Sequence, residues 1–399
     1  MLNPIAVAIP AFVVAIAAEL GVAWRRGLLV QPTADHPELR PIYRTGDALA
    51  DLGCGLVSQV TGLWTGAVVL AGAYAAAFAF APWRLPEDSL ATWIGAFVAT
   101  DFLYYWWHRA SHRVNVLWAA HVVHHQSEDY NLAVALRQAV FTPLTSIPFY
   151  FPLAILGVSP LVFLVCLSLN TLYQFWIHTR LVGRLGPFEA VFNTPSHHRV
   201  HHGINPKYID RNHAGVFIVW DRWFFTFEPE ADEPVYGVVE GHPSWNPLTA
   251  HLSPYGKLFR NAWAAGPVEG MKLCFAPPEW RPTRLGGPVH IPEPARLLRW
   301  NPPVSAGVQR YCAAWFLPMA AVLFLMLWYA NEAPVALLAV GGTFIVATQL
   351  TQTALLESWR KARWMELFRA VWIVPGLAIY AALLWLDWQL SMSFGYGAQ

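Results

Sequence analysis

Residues 104–125 read YYWWHRASHRVNVLWAAHVVHH, an apolar segment that runs directly into two histidine clusters. A third cluster, HHRVHH, lies at residues 197–202. Within each cluster, histidines recur at spacings of three or four, which places them on one face of a helix. Neutral imidazole is the commonest ligand for transition metals, and one ion takes about four to six ligands. The clusters therefore predict a two-ion site built from His108, His112, His121, His124, His125, His198, His201 and His202.

His178 is a ninth candidate ligand, because it follows Gln174 by four residues in a predicted helix. Metal-bound histidines usually donate their second ring N–H to a carboxylate or a carbonyl. For each nearby carboxylate taken alone, a surface ion pair or a helix cap is an equally good interpretation. The candidates for supporting contacts around the metal site are Asp101, Glu128, Asp129, Gln174, His197, His213 and Asp221. The isolated histidines at positions 36, 242, 251 and 290 are expected to be interfacial residues without a role at the site.

The composition indicates an all-α integral membrane protein. Hydrophobic residues make up 56% of the chain and charged residues only 13%, whereas soluble domains carry about 25% charged residues. The formal net charge is +1, so no broad basic surface indicates nucleic-acid binding. The four cysteines show no spacing typical of a disulfide framework or a thiolate metal site.

A membrane span needs about 20 mostly apolar residues. Eight segments are candidates for transmembrane or re-entrant helices: 4–24, 56–80, 90–107, 140–156, 160–177, 311–330, 334–353 and 370–390. The adjacent pair 140–156 and 160–177 either spans the membrane or forms a re-entrant hairpin. The first segment has no basic residue before it and Arg25 and Arg26 after it, which predicts a retained signal anchor.

The distribution of Arg and Lys around these segments predicts the topology, because cytosolic loops are enriched in both. It favours eight crossings, with both termini outside and every histidine cluster on the cytosolic face. The amphiphilic region 179–301 would then form a cytosolic helical cap that carries part of the two-metal site.

Three other classes of protein fit the histidine clusters less well. A zinc metalloprotease of the H-E-x-x-H type needs a glutamate at position 109, where this chain has Arg109. A metal transporter would place isolated ligands along a path through the membrane, rather than at one face. A lipid sensor without catalytic activity has no need of three complete clusters.

The order H-x3-H, H-x2-H-H, H-x2-H-H among apolar segments resembles the fatty acid hydroxylase and sterol desaturase superfamily of membrane di-iron oxygenases. Within it, the alkylglycerol monooxygenase family is similar over about residues 100–230, in YQFWIHT at 173–179, NTPSHHRVHHG at 193–203 and GVFIVWDR at 215–222. The resemblance implies a catalytic domain at 1–303 with its core at 90–230, and the last three apolar segments predict a three-helix membrane block at 304–399, where no family motif is found. Two positions depart from the patterns: Arg113 replaces an acidic residue of the animal enzymes, and Gln174 replaces a histidine of other superfamily members.

The resemblance also implies the chemistry. Two iron ions, which zinc can replace in isolated protein, would use O2 to hydroxylate an alkyl C–H bond of a membrane lipid, such as the ether-linked carbon of an alkylglycerol. A sterol or fatty-acyl desaturase or hydroxylase on the same scaffold is the alternative. The sequence has no G-x-G-x-x-G after a strand, so electrons are expected from a separate donor: a tetrahydropterin, or a protein of the cytochrome or ferredoxin type. No catalytic residue beyond the metal ligands is assigned.

Overall fold

The computed structural model describes residues 4–30, 40–291 and 299–395, and within these ranges every regular element is a helix. The one β-type contact there is an isolated bridge between Phe192 and Phe217. The all-α prediction is therefore confirmed for the described residues. His36 lies outside them.

Eight helices precede the third histidine cluster. They are α1 (Pro4–Arg25), α2 (Thr45–Gly66), α3 (Ala73–Ala79), α4 (Leu90–Arg113), α5 (Asn115–His125), α6 (Leu132–Ala135), α7 (Thr142–Ile155) and α8 (Pro160–Trp176). A π-helical segment, Ala67–Gly72, connects α2 to α3.

Eight more helices follow. They are α9 (Pro195–His201), α10 (Val219–Trp223), α11 (Pro247–Ala265), α12 (Pro267–Phe275), α13 (Ala306–Trp328), α14 (Val335–Leu356), α15 (Ala362–Phe368) and α16 (Val374–Gly395). A second π-helical segment, Arg369–Ile373, connects α15 to α16. The described part of the chain also contains two 3-10 helices, Gly186–Ala190 and Thr283–Leu285.

Within the described ranges, four helical stretches are long and apolar enough to cross a membrane: Ile5–Arg25, Ala306–Trp328, Val335–Leu356 and Ala362–Ser391. A fifth span results if the bent pair Thr45–Gly66 and Val69–Ala79 is counted as one. The helices therefore support a multi-pass membrane protein, whereas the count of eight crossings and the cytosolic cap stay predictions.

The predicted hairpin at 140–177 consists of two helices that are shorter than a full span. Helix α7 has 14 residues with Pro148 and Pro152 inside it, and α8 has 17 residues. Helix α8 starts sharply because Ser159 caps it by accepting a hydrogen bond from the backbone of Val162. Both helices pack on α4, which carries the first histidine cluster.

The C-terminal block packs directly on the N-terminal helices. Helix α13 contacts α2, α1 and α14, and one apolar core contains Ala6 of α1, Leu56 of α2, Met319 of α13 and Leu338 of α14. The proposed boundary near residue 303 stays a prediction.

Candidate metal centre

Two helices that meet almost without a linker position the first two clusters. Helix α4 ends with His108 and His112 in its last two turns, and α5 starts two residues after α4 ends. The single residue between them, Val114, has an extended backbone, so the chain turns and α5 packs back on α4. This turn brings His121 of α5 to His108, with 2.9 Å between their Nε2 atoms.

The structure brings all nine predicted histidines together in two buried groups, each compact enough to hold a metal ion. In each group the candidate ligand atoms lie within 4.8 Å of one another. The first group is His108, His112, His121, His125 and His201. The second group is His124, His178, His198 and His202.

Backbone carbonyls set the tautomer of four of these rings. The Nδ1 atom of His108 faces the carbonyl of His213 at 2.7 Å, and that of His178 faces the carbonyl of Gln174 at 2.7 Å. His124 and His201 make the same contact with the carbonyls of Arg137 and Arg211, at 3.0 and 2.9 Å. A ring nitrogen that faces a carbonyl carries the proton, so Nε2 of each neutral ring presents its lone pair to the group.

The converging Nε2 atoms fit a cation. Nε2 of His124 lies 3.2 Å from Nε2 of His178, although both rings already use their proton at Nδ1. Two lone pairs this close repel unless a positive charge lies between them. The Nε2 atoms of His112 and His201 are buried and have no hydrogen-bond partner among the described residues.

The histidines are held neutral, as metal ligands must be. Burial lowers the pKa of His112 and of His124 to about 4. Burial also lowers the pKa of His125, His201 and His202 well below the usual value. Proton binding therefore does not compete with a metal ion for these rings near neutral pH.

Asp221 and Asp101 support the metal centre through a loop rather than through direct contact. The Asp221 carboxylate accepts hydrogen bonds from the backbone N–H groups of His213 and Ala214, both at 2.8 Å. Because the carbonyl of His213 accepts from His108, Asp221 holds the loop that orients this ring. Asp101 accepts from the backbone of Val216 and Phe217 in the same loop, at 2.7 and 3.0 Å.

Glu128 and Asp129 do not contact the histidines in this structure. The Asp129 carboxylate binds the guanidinium groups of Arg44 and Arg299, at 3.0 and 3.3 Å. Glu128 binds Arg44 at 3.2 Å and accepts from the backbone of Trp300 at 2.8 Å. Asp129 is buried and Glu128 is partly buried, and both bind cations from distant segments, so they tie the loop after the second cluster to α2 and to the chain that leads into α13.

His197 and His213 have different surroundings. His197 is outside both groups and lies against Phe227, with ring centroids 5.3 Å apart. His213 is buried, and its ring lies 5.1 Å from that of His112. Together with His112 and Asp210 it forms a third set of potential ligands.

Asp210 is not among the residues predicted from the sequence. Its carboxylate lies 3.6 Å from Nδ1 of His112 and forms an ion pair with Arg113, which also lies 3.4 Å from Glu279. Arg113 therefore binds a carboxylate of another loop next to His112. In the sequence, the sign of this ion pair is the positive charge of Arg113, which directly follows His112.

Arg137 was also missed, although it lies within residues 100–230, the region that carries the family resemblance. Its side chain donates to the carbonyl of Val123 at 2.5 Å, to Asp51 at 3.1 Å and to Gln126 at 2.8 Å. Its own carbonyl orients His124. Arg137 thus positions the second cluster in two ways. Its side chain binds Val123 and Gln126, on either side of His124 and His125, and its backbone carbonyl orients the His124 ring.

The isolated histidines differ from the expectation in one case. His251 is only 2% exposed and lies in the core beside Cys54, because α11 packs on α2. The expectation that it is interfacial was wrong. His242 is half-buried and His290 is exposed.

An apolar cavity of about 330 Å³ reaches the metal centre. It is lined at the histidine end by His121 of the first group and by His124 and His178 of the second, beside Tyr104 and Gln174. Gln174 accepts a hydrogen bond from the Tyr104 hydroxyl at 2.7 Å and donates to Asn170 at 2.8 Å, so it forms a fixed wall. The remaining walls come mainly from apolar residues of α1, α2, α8 and α13.

The chain is similar to known proteins over the region that carries the three histidine clusters. Residues 93–226 match the family model of the fatty acid hydroxylase domain. The chain is 43% identical over 257 residues to alkylglycerol monooxygenase of Homo sapiens, which covers 64% of this chain and 58% of that protein. The enzyme of Danio rerio is 40% identical over 289 residues, covering 72% of this chain and 62% of that protein.

A less similar relative aligns over a larger share of both proteins. The alkylglycerol monooxygenase of Caenorhabditis elegans is 32% identical over 372 residues, covering 86% of this chain and 72% of that protein. The chain spans about six-tenths of the human and zebrafish relatives, at 58% and 62%. No solved structure matches the chain. By its fatty acid hydroxylase domain and its similarity to the Caenorhabditis elegans enzyme, the chain belongs to the alkylglycerol monooxygenase family of the fatty acid hydroxylase superfamily.

Proposed function

We propose that this chain is a membrane-bound di-iron monooxygenase that hydroxylates the ether-linked carbon of an alkylglycerol. One observation carries the proposal: a single apolar cavity ends at histidines of both groups. A long alkyl chain fits such a cavity, and its oxidised carbon would lie at the metal centre. The family relationship supports the reaction class, because the relatives compared are alkylglycerol monooxygenases.

The nine grouped histidines would hold two iron ions, five ligands for one and four for the other. Bound iron supplies the activation of O2 that an unactivated C–H bond requires. Zinc can occupy the same imidazoles in isolated protein. The supporting contacts at Nδ1 keep the Nε2 lone pairs directed into each group, so the chain prepares the site before any ion binds.

The chain's own residues bind the alkyl group and exclude water. Along α1, a single stripe lines the cavity: Ile5, Ile9, Phe12, Val13 and Ile16. At a rise of 1.5 Å per residue, this stripe covers roughly 16 Å, which suits a long alkyl chain. Burial in an apolar channel holds the substrate in one orientation and keeps bulk water from the reacting carbon.

The reaction requires a separate electron donor. One oxygen atom of O2 enters the C–H bond and the other leaves as water, which consumes two electrons and two protons. Hydroxylation of an ether-linked carbon gives a hemiacetal, which collapses to an aldehyde and an alcohol. We propose a tetrahydropterin as the donor on the family resemblance; the alternative is a protein donor of the cytochrome or ferredoxin type.

The reaction is tested with purified, iron-loaded chain in lipid vesicles, supplied with an alkylglycerol, O2 and a tetrahydropterin. The expected products are a fatty aldehyde and glycerol in equal amounts, and none should form with a His201→Ala variant. An alkene product would instead identify a desaturase. Hydroxylation at another carbon, without aldehyde, would exclude the ether-linked position.

The metal content is a second test. We expect about two ions per chain by elemental analysis of protein expressed with ample iron, because the histidines divide into two groups. A single ion, or none, would contradict the two-ion site. Zinc in place of iron would leave the ligand assignment intact and would be replaced by reconstitution with ferrous iron.

A further inference from the structure

A helical hairpin outside the metal centre exposes an unusually apolar face. Its two helices, α11 and α12, are joined at Gly266 and lie between the third histidine cluster and α13. Trp263 is 89% exposed and Val268 is 78% exposed. Four more large apolar side chains of the hairpin are more than half exposed: Leu252, Phe259, Met271 and Phe275.

The exposed residues form regular stripes. Leu252, Phe259 and Trp263 are spaced by seven and four, so they share one face of α11. The opposite face is buried: Leu258 of α11 and Leu273 of α12 form a core with Ala119 of α5. The exposed face is therefore the outer side of a well-packed hairpin.

The hairpin itself is tightly built. A Cβ atom at Gly270 of α12 would lie 2.2 Å from the backbone oxygen of Ala262 in α11, so only glycine permits this approach of the two helices. Asn115 at the start of α5 donates from its backbone to the carbonyl of Ala276, at 3.0 Å. The apolar face is thus held in a fixed orientation relative to the helix that carries the second histidine cluster.

Aromatic contacts connect this face to the helices of the membrane region. The ring of Phe141, directly before α7, lies 5.1 Å from that of Tyr255 in α11. The Tyr255 ring in turn lies 5.9 Å from that of Phe259, in the exposed stripe. Helix α11 also packs on α2, which belongs to the bent candidate span.

Cationic side chains flank the stripes. Lys257 and Arg260 are exposed on α11, and Lys272 is exposed on α12. Lys272 places its ammonium group 4.4 Å from the centre of the Trp280 ring. Exposed large apolar residues, tryptophan and flanking Lys or Arg together are typical of helices that lie in the membrane interface and contact anionic head groups.

We propose that the α11–α12 hairpin lies in the lipid interface of the membrane that the long helices cross. Its apolar stripe inserts below the head groups, and Arg260 and Lys272 remain at their level. Because the hairpin packs on α5, this contact sets the height of the second histidine cluster relative to the bilayer surface. The proposal does not depend on the reaction that the metal centre catalyses.

The depth of the hairpin can be measured with an environment-sensitive fluorophore on the full chain in vesicles that contain anionic lipid. Cys274 is replaced by serine, since the other cysteines, Cys54, Cys166 and Cys312, are buried. The fluorophore is attached in separate proteins through Trp263→Cys, Val268→Cys and Asp232→Cys. Asp232 is the matched control, because its side chain is 69% exposed in a loop outside the hairpin.

We expect blue-shifted emission from the fluorophore at positions 263 and 268, and a loss of fluorescence with spin-labelled lipid but not with aqueous iodide. At position 232 only iodide should quench. Quenching by iodide at 263 and 268 to the same extent as at 232 would place the face in water and overturn the proposal. Protection from both quenchers would also overturn it, since it would identify a protein partner or a second copy of the chain.

Discussion

At the scale of single residues, the orientation of a histidine ring in the two groups depends on what its second ring nitrogen contacts. Four of the nine rings direct Nδ1 to a backbone carbonyl, and these carbonyls come from three segments of the chain: Gln174 in α8, Arg137 after α6, and the loop that contains Arg211 and His213. For His108, His124 and His201 the orienting carbonyl lies outside the ring's own helix, whereas for His178 it belongs to Gln174, four residues earlier. Substitutions at ligands and at supporting residues should therefore have different effects.

Replacement of His178 is the most direct test of whether a residue is a metal ligand or only a supporting residue. His178→Ala removes one of the four imidazoles of the second group, including its Nε2 contacts with His124 and His198 at 3.2 and 3.0 Å. We expect the metal content to fall from about two ions towards one, with loss of turnover. The control is His290→Ala, which changes an exposed residue and should alter neither. An active His178→Ala protein with two ions would show that the other eight histidines suffice.

Asp221 should behave as a positioning residue. Asp221→Ala removes the acceptor for two backbone N–H groups and for the Thr226 hydroxyl at 2.7 Å, which frees the loop whose carbonyl orients His108. Loss of such a partner typically costs about 10–100-fold in metal affinity or activity. Iron retention during dialysis against a chelator measures this, compared with the exposed position Asp232→Ala. Iron retention equal to that of the wild type would contradict the assigned role.

At the scale of elements, α1 forms one wall of the apolar cavity. Its C-terminal part is anchored because Glu19 accepts a hydrogen bond from the hydroxyl of Thr179, the residue after His178, and one from the backbone of Leu132 at 2.8 Å. One face of α1 lines the cavity and the other is exposed, so the two faces can be tested with the same change in size.

Ile9→Trp should narrow the cavity, whereas Val7→Trp should not. Ile9 lines the cavity, and Val7, two residues earlier on the same helix, is 55% exposed on the outer surface. We expect Ile9→Trp to reduce turnover of long-chain alkylglycerols more than that of short-chain ones, with the iron content unchanged. Val7→Trp should retain the chain-length preference of the wild type. Equal effects of the two variants would argue against α1 as the cavity wall.

At the scale of the whole molecule, the metal centre lies near the C-terminal end of α1, one of the long apolar helices. Glu19 in α1 is tied to the residue after His178, whereas Ala6, near the other end of α1, packs in the same core as Leu338 and Ala333. The short connection between α13 and α14 therefore lies at the end of α1 opposite to the metal centre. This arrangement allows a direct test of the predicted orientation.

We expect a cysteine at Glu332 to react with an impermeant thiol reagent on intact cells, and a cysteine at Asp232 to react only after permeabilisation. Glu332 is exposed between α13 and α14, and Asp232 is exposed in the region between the third histidine cluster and α11. Both variants are compared in a chain with Cys274 replaced by serine. The reverse pattern would place the metal centre on the outside, and reaction of both residues on intact cells would exclude a membrane between them.

The sequence by itself determined the helical class, the membrane character and the nine candidate ligands. These properties are local: apolar runs and spacings of three or four follow from the period of a helix, whatever that helix packs against. The same local reasoning could not assign the carboxylates. Glu128 and Asp129 follow the second cluster directly, yet Arg44 and Arg299 bind them, from segments far away in the chain.

Only the tertiary structure decided how the histidines divide. His124 and His125 are adjacent, as are His201 and His202, and in both pairs the two neighbours belong to different groups. A helix turns by about 100° per residue, so neighbouring side chains point towards different partners, and those partners are supplied by other helices. The packing of α4, α5, α8 and α9 therefore converts three clusters in the sequence into two groups in space, because each group draws on ligands from several helices.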